Sequence, residues 1–192
     1  MAETPARSPL ASRLEDLAGI AAATGGAVVL EHLPFLTQID LRLDPSDAGR
    51  APYPLPVEPN TAWEEGPRAA MWLGPDEWLL LGPPGAGPDI VAELLGALGG
   101  THRSIVDVSA NRVALELSGP GAKELLSKGC SLDLDRRGGW TAGSCAQTLL
   151  ARVPVILHER AETTGVLVRP SFAEYLVDWL VDAAARPSIP DP

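Results

Sequence analysis

Residues 104–134 constrain the fold of this chain more than any other stretch, because about thirty residues encode two strands, a helix and a closing loop. Residues 104–109 form a short apolar run that ends in turn formers, and residues 111–117 alternate in the period of two that is typical of a strand with one buried face. Pro120 suits the first turn of a following helix, and Gly129 ends that helix. The stretch therefore predicts a β-sheet that is covered by a second layer.

The hydrophobic pattern predicts similar elements on both sides of this stretch. It indicates a first helix at 8–18, capped by Ser8, and a last helix that starts at Ser171, with Glu174 completing a capping box. The other predicted elements are strands at 28–30, 37–43, 146–151, 155–158 and 165–168, a hairpin at 69–82 and a helix at 88–98.

These elements predict an α+β fold of two strand-rich halves, each finished by an amphipathic helix. Two ferredoxin-like split β-α-β halves satisfy this order better than a doubly wound parallel sheet does. A chain of 192 residues is long enough for one domain with a real core. We therefore expect a single domain over 1–192, with its core at 69–185.

A proline-rich segment at 44–63 interrupts the pattern. Its five prolines exclude a regular strand ladder, because each removes a backbone donor. One interpretation is a mobile surface loop. The other is an ordered arm that lays Tyr53, Leu55 and Val57 on a neighbouring subunit, with the prolines reducing the entropy lost on docking.

Composition excludes several classes of function. Asp and Glu outnumber Lys and Arg by 25 to 15, for a net charge of -10, which disfavours nucleic-acid binding. No apolar run approaches the roughly 18 residues of a membrane span. Cys130 and Cys145 have no metal-type spacing, so we expect reduced thiols and a cytoplasmic protein with no bound metal.

The candidate catalytic groups are each isolated in the sequence. The glycine-rich run at 82–87 and Lys123 after Gly121 lack the spacing of phosphate-binding loops. Asp107 and Ser109 are typical of a turn in which side chains bond the backbone. We predict no catalytic, cofactor-binding or metal-binding residue; the remaining groups considered are His32, His102, His158 and Cys145.

Exposed apolar residues indicate interaction with a partner instead. Trp63 and Trp140 lie in loops, where an indole needs cover, and the first helix carries Leu10 and Leu14 on an apolar stripe. The predicted interface set is Leu10, Leu14, Tyr53, Leu55, Val57, Trp63 and Trp140.

Five sequence blocks support a family resemblance. They are VDVSANRVALELSGPGA at 106–122, KGCSLDL at 128–134, LGPDEWLL at 73–80, CAQTLLAR at 145–152 and VRPSFAEYL at 168–176. Taken in their order along the chain, they resemble the gamma subunit of heterotetrameric sarcosine oxidase. The strand-Ser-Gly-Pro-helix unit is more distantly similar to the folate-binding domain of the glycine-cleavage T-protein, which implies a T-protein-like fold.

The resemblance implies a non-catalytic subunit of a complex that oxidatively demethylates sarcosine to glycine. Such a complex forms hydrogen peroxide, together with 5,10-methylenetetrahydrofolate or formaldehyde. The resemblance places FAD, FMN, NAD, tetrahydrofolate and zinc in partner subunits. It also implies direct contact with the large alpha subunit, with beta and delta subunits in the same complex, and it favours the arm interpretation of 44–63.

Two alternatives stay open from the sequence. One is the corresponding subunit of an N-methylglutamate or related N-methylamino-acid dehydrogenase. The other is a free-standing folate-binding module or aminomethyltransferase.

Overall fold

The computed structural model describes residues 7–135 and 139–186, in which ten strands form two antiparallel sheets of five. The strands are β1 Val29–Leu33, β2 Thr37–Leu43, β3 Ala62–Glu65, β4 Arg68–Gly74, β5 Glu77–Gly82, β6 Arg103–Asp107, β7 Val113–Ser118, β8 Cys145–Leu150, β9 Val153–Glu159 and β10 Thr163–Val168. The helices are α1 Leu14–Ala23, α2 Gly87–Ala97, α3 Ala122–Ser127 and α4 Pro170–Ala185, with a 3-10 helix at Pro45–Arg50. The predicted α+β class is confirmed; the ends of the predicted domain, 1–6 and 187–192, lie outside the described residues.

The two sheets are built on one plan. The first has the order β3-β4-β5-β2-β6, so β5, α2 and β6 form a split β-α-β unit around β2. The second has the order β1-β7-β10-β9-β8. In that sheet α4 follows β10, but no strand after α4 pairs with β7 within the described residues. The other neighbour of β7 is β1, which precedes it in the chain. The second half is thus closed by α1 and β1.

Alternating side chains give the molecule four layers. One face of each sheet meets the other sheet over a core that includes Met71, Leu79, Ile156 and Leu167. The outer face of the first sheet is covered by α2 and the proline-rich segment. The outer face of the second sheet is covered by α1, α3 and α4. The period of two that was read in β7 places its large aliphatic residues under these helices.

Residues 108–112 carry the chain from one sheet to the other. β6 ends the first sheet and β7 lies in the middle of the second, so the two strands of the stretch 104–134 are not paired with each other. This crossover brings the turn before β7 to a rim of the sandwich.

The two predicted helix starts are wrong. The first helix begins at Leu14 and ends at Ala23, after a turn, instead of spanning 8–18. Leu10 precedes this helix and is fully buried, so the core also extends beyond the predicted 69–185. The last helix begins at Pro170, and Arg169 precedes it with no side-chain cap. Proline with its preset φ starts this helix, so the Ser171 and Glu174 capping box does not form.

The proline-rich segment packs on its own chain. Leu55 is buried against the outer face of the first sheet, and Tyr53 stacks on Trp63 with ring centroids 6.1 Å apart. The buried indole of Trp78 donates to the carbonyl of Pro56 at 2.7 Å. These contacts correct the interpretation as a mobile loop and, for Leu55, the interpretation as an arm on a neighbour. That Tyr53 and Val57 meet a neighbouring subunit stays a prediction. The carbonyls of this extended segment are not used in a strand ladder and can accept hydrogen bonds. The buried indole of Trp78 needs such an acceptor.

Candidate functional site

The glycine-rich loops are explained by close packing. A Cβ at Gly119 would stand 2.5 Å from the carbonyl oxygen of Ala27, and the amide of Gly121 donates to that same oxygen at 2.9 Å. A Cβ at Gly87 would stand 2.6 Å from the carboxylate of Asp107. These glycines allow two chain segments to approach each other, as expected where no Cβ fits.

Asp107 and Ser109 form a local turn. The carboxylate of Asp107 accepts from the amide of Ser109 at 2.9 Å and from its hydroxyl at 2.6 Å. The Ser109 hydroxyl oxygen also accepts from the amide of Gln38 at 3.0 Å. The pair therefore satisfies backbone groups at the crossover.

The thiol of Cys145 is held in an unreactive state. It lies between the sheets and donates to the carbonyls of Thr61 and Trp72 at 3.2 and 3.4 Å. Burial raises the pKa of Cys145 to about 11, so its nucleophilic thiolate is rare at neutral pH. Within residues 7–135 and 139–186, no group of three or more His, Cys, Asp or Glu side chains could hold a metal ion.

The surroundings of His158 disfavour its protonation. Burial, and then the charge of Arg160, lower the pKa of His158 to about 4. Its Nε2 lies 3.6 Å from the carboxylate of Glu64, too far for a hydrogen bond. Arg160 engages that same carboxylate at 3.4 Å and pairs with Glu116 at 3.1 Å. The histidine is therefore neutral at physiological pH.

A buried carboxylate that the sequence analysis missed joins β9 to the helical layer. Glu159 accepts from the indole of Trp140 at 2.9 Å and from the hydroxyl of Thr164 at 2.7 Å, and it pairs with Lys123 at 2.7 Å. All three partners come from different segments. Glu159 thus tethers the loop that contains Trp140, a structural role for a buried charge that is fully paired.

The predicted interface residues divide into two groups. Leu10, Leu55 and Trp140 are buried within the chain, so the prediction that they meet a partner is corrected. Their burial satisfies the need for cover that motivated the prediction. The remaining residues keep surface: Leu14 and Val57 are exposed, and Tyr53 and Trp63 are half-buried.

Two arginines that the sequence analysis did not single out lie at one rim of the second sheet. Arg112 immediately precedes β7 and Arg169 immediately follows β10, at the end where Val113 pairs with Val168. Both line a cavity of about 460 Å³ beside Leu149. Only the pairing register could have revealed this neighbourhood, because 56 residues separate the two arginines in the sequence.

The chain was compared with known sequences. Residues 53–186 match the model of the sarcosine oxidase, gamma subunit, family. The sarcosine oxidase subunit gamma of Arthrobacter sp. is 40% identical over 186 residues, which cover 92% of this chain and 89% of that one. The corresponding subunit of Corynebacterium sp. strain P-1 is 38% identical over 188 residues, covering 94% and 90%.

Comparison with solved structures agrees with these sequences. A chain of the heterotetrameric sarcosine oxidase of Corynebacterium sp. U-96, solved with pyrrole 2-carboxylate, superposes with a TM-score of 0.81 at 33% identity, covering 96% of this chain and 98% of that one. The glycine-cleavage aminomethyltransferase T of Bartonella henselae gives 0.63 at 14% identity, with 88% of this chain and 52% of that one covered. The second likeness shows the T-protein-like fold alone. In the described residues, no helix has the length and apolarity needed to cross a membrane.

Proposed function

The chain belongs to the sarcosine oxidase gamma subunit family, and from that premise we propose that it is the non-catalytic gamma subunit of a heterotetrameric sarcosine oxidase. The observation that carries this proposal is the match along nearly the whole chain, in sequence to relatives of that name and in structure to a chain of such a complex. The complex would oxidatively demethylate sarcosine to glycine, with formation of hydrogen peroxide.

A structural role is supported by the engagement of the candidate reactive groups. The Cys145 thiol is buried and protonated, and the Asp107 carboxylate is bonded within its own turn. The Glu159 carboxylate is paired on all sides. Each group stabilises a contact between segments, and each would have to leave that contact to attack a substrate.

We propose that the redox cofactors are held by the other subunits. On this proposal FAD, FMN, NAD and zinc lie in the alpha, beta and delta subunits, and the one-carbon unit passes to tetrahydrofolate there or is released as formaldehyde. The large alpha subunit contacts this chain directly. A cytoplasmic location is consistent with two free, buried cysteines.

The experiment is coexpression of this chain with the three neighbouring subunits and purification through a tag on the large subunit. We expect the chain to co-purify in a fixed ratio and the complex to consume oxygen when sarcosine is added. The same assay with N-methylglutamate distinguishes the related dehydrogenases. Failure of the chain to co-purify, or a complex active only on N-methylglutamate, would contradict the proposal.

A further inference from the structure

Strand register aligns four side chains across one rim of the second sheet. Val113 pairs with Val168, and Val168 pairs with Val155. Continuing each pairing by one residue places Arg112 beside Arg169, and Arg169 beside Pro154. Pro154 in turn pairs with Leu149 on the edge strand β8. Because side chains on one transverse row share a face, these four residues form a continuous row, which we call the arginine rim.

The arginine rim places like charges side by side. Cross-strand pairs of like charge destabilise a sheet. Burial and then the charge of Arg169 lower the pKa of Arg112, and the charges of Asp40 and Glu77 partly oppose this shift. No ion pair to Arg112 or Arg169 is formed within residues 7–135 and 139–186. The chain therefore maintains two adjacent guanidinium groups without a carboxylate between them.

The surroundings of the rim are basic although the chain is acidic. Arg112 also lines a second cavity of about 510 Å³, with Arg7, His32 and Phe35. Among the described residues, neither cavity has an Asp or Glu in its lining. In a chain with a net charge of -10, a lining that holds two arginines and no carboxylate favours an anionic partner.

The two cavities share Arg112 and are together called the groove; each has one exposed apolar residue in its lining. Leu149 is 53% exposed on the edge strand, and Phe35 is 50% exposed in the turn after β1. Phe35 also has a φ of 58°, a left-handed conformation that is unfavourable for a bulky side chain. Backbone strain of this kind is concentrated at functional sites such as ligand clamps and switch regions. Arginine is enriched among the energetically dominant residues of protein interfaces.

We propose that the arginine rim and Phe35 dock an acidic segment of a partner subunit. A carboxylate of that segment is held by Arg112 and Arg169, and an apolar residue next to it covers Phe35 or Leu149. The inference rests on the proposed function, which supplies the partner. A polypeptide fits the groove better than a small anion does, because a small anion would leave Phe35 and Leu149 uncovered.

The test uses two variants in the coexpressed complex, one that removes charge and one that removes the aromatic side chain. The double variant Arg112→Gln and Arg169→Gln removes the charge, and Phe35→Asn replaces the strained aromatic with a residue that tolerates a left-handed backbone. The matched controls are Arg50→Gln and Leu95→Asn, on the 3-10 helix and α2 beyond the other sheet. Two quantities are measured: the ratio of chain recovered with the tagged large subunit, and the thermal midpoint of each isolated chain.

We expect the double arginine variant and Phe35→Asn each to lower recovery at least tenfold. Their thermal midpoints should stay equal or rise, because the first relieves like-charge repulsion and the second relieves backbone strain. Both controls should be recovered fully. The proposal is overturned if these two variants assemble like the wild type, or if their recovery falls only together with a lower thermal midpoint. Normal assembly combined with stabilisation of the wild-type chain alone by inorganic phosphate would assign the groove to a small anion instead. If wild-type chain is not recovered, the proposed function and this inference both fail.

Discussion

At the scale of single residues, His158 makes the stability of the folded chain depend on pH. Its pKa of about 4 lies below the ordinary 6.5, so the unfolded chain takes up a proton between these values while the folded chain does not. The free energy of unfolding therefore falls as pH decreases from about 6.5 to 4. At pH 5 the contribution of this one group is a loss of about 2 kcal/mol.

We expect His158→Gln to reduce that loss. Urea unfolding at pH 7 and pH 5 should show that the decrease between the two is about 2 kcal/mol smaller in the variant than in the wild type. His102→Gln is the matched control, since it removes an exposed histidine. An equal decrease in the wild type and His158→Gln would show that the histidine is protonated without penalty.

Gly119 offers a second test at the same scale, through a pair of glycines that both have positive φ. Gly119 has a φ of 97° and a carbonyl oxygen where its Cβ would lie, whereas Gly85 has a φ of 82° and open space. Gly85→Ala should lower the free energy of unfolding by about 1 kcal/mol, through backbone conformation alone. Gly119→Ala should lower it by about 3 kcal/mol, because the added Cβ also forces the chain off Ala27. Equal losses in thermal or urea unfolding would contradict this account.

The contacts between distant segments were the least predictable from sequence. Local rules correctly indicated that Asp107 and Ser109 form a turn. They could not place Arg112 beside Arg169 or Glu159 beside Lys123, because those contacts depend on strand register and on which helix covers which sheet. The interface prediction for Leu10 and Trp140 was wrong for the same reason. An apolar side chain in a loop needs cover, but its sequence does not say whether the cover is its own core.

At the scale of elements, strand and helix periods were informative and boundaries were not. The hairpin of β4 and β5 and the helix α2 fall within a few residues of their predicted positions. The starts of α1 and α4 differ because a turn and a proline replace the expected caps. The pairing of β1 with β7 could not be predicted, because no local sequence pattern shows which distant strand pairs with β7.

The proline-rich segment behaves as a structural element without regular hydrogen bonding. Leu55→Ala should lower the free energy of unfolding by about 3 kcal/mol, because it opens a cavity against the first sheet. Val57→Ala, two residues further on, is the matched control: its side chain is 59% exposed, and the loss should stay below about 0.5 kcal/mol. Denaturant midpoints of both variants measure the difference. A loss at Leu55 as small as at Val57 would indicate that the segment detaches from the chain in solution.

At the scale of the whole molecule, the proposal makes the isolated chain inert. We expect the purified chain to be colourless and to consume no oxygen with sarcosine, since its partners are proposed to carry the flavins. Titration calorimetry should also detect no tetrahydrofolate binding tighter than about 1 mM, or about 4 kcal/mol. Micromolar binding would identify a folate site in this chain in spite of the structural role proposed here, and retained flavin absorbance after gel filtration would contradict the division of labour among subunits.

The closure of the second sheet by β1 has a consequence for synthesis on the ribosome. The split unit of the first sheet is finished by β6, which ends at Asp107, so that sheet has its five strands before β7 is made. Among the described strands β1 is synthesised before the others, and it pairs with β7, whose other neighbour in the sheet is β10. β1 therefore stays unpaired while the first sheet folds. We infer that vectorial folding runs from the middle of the chain outward, and that α1 and β1 remain open to chaperones longer than any other segment.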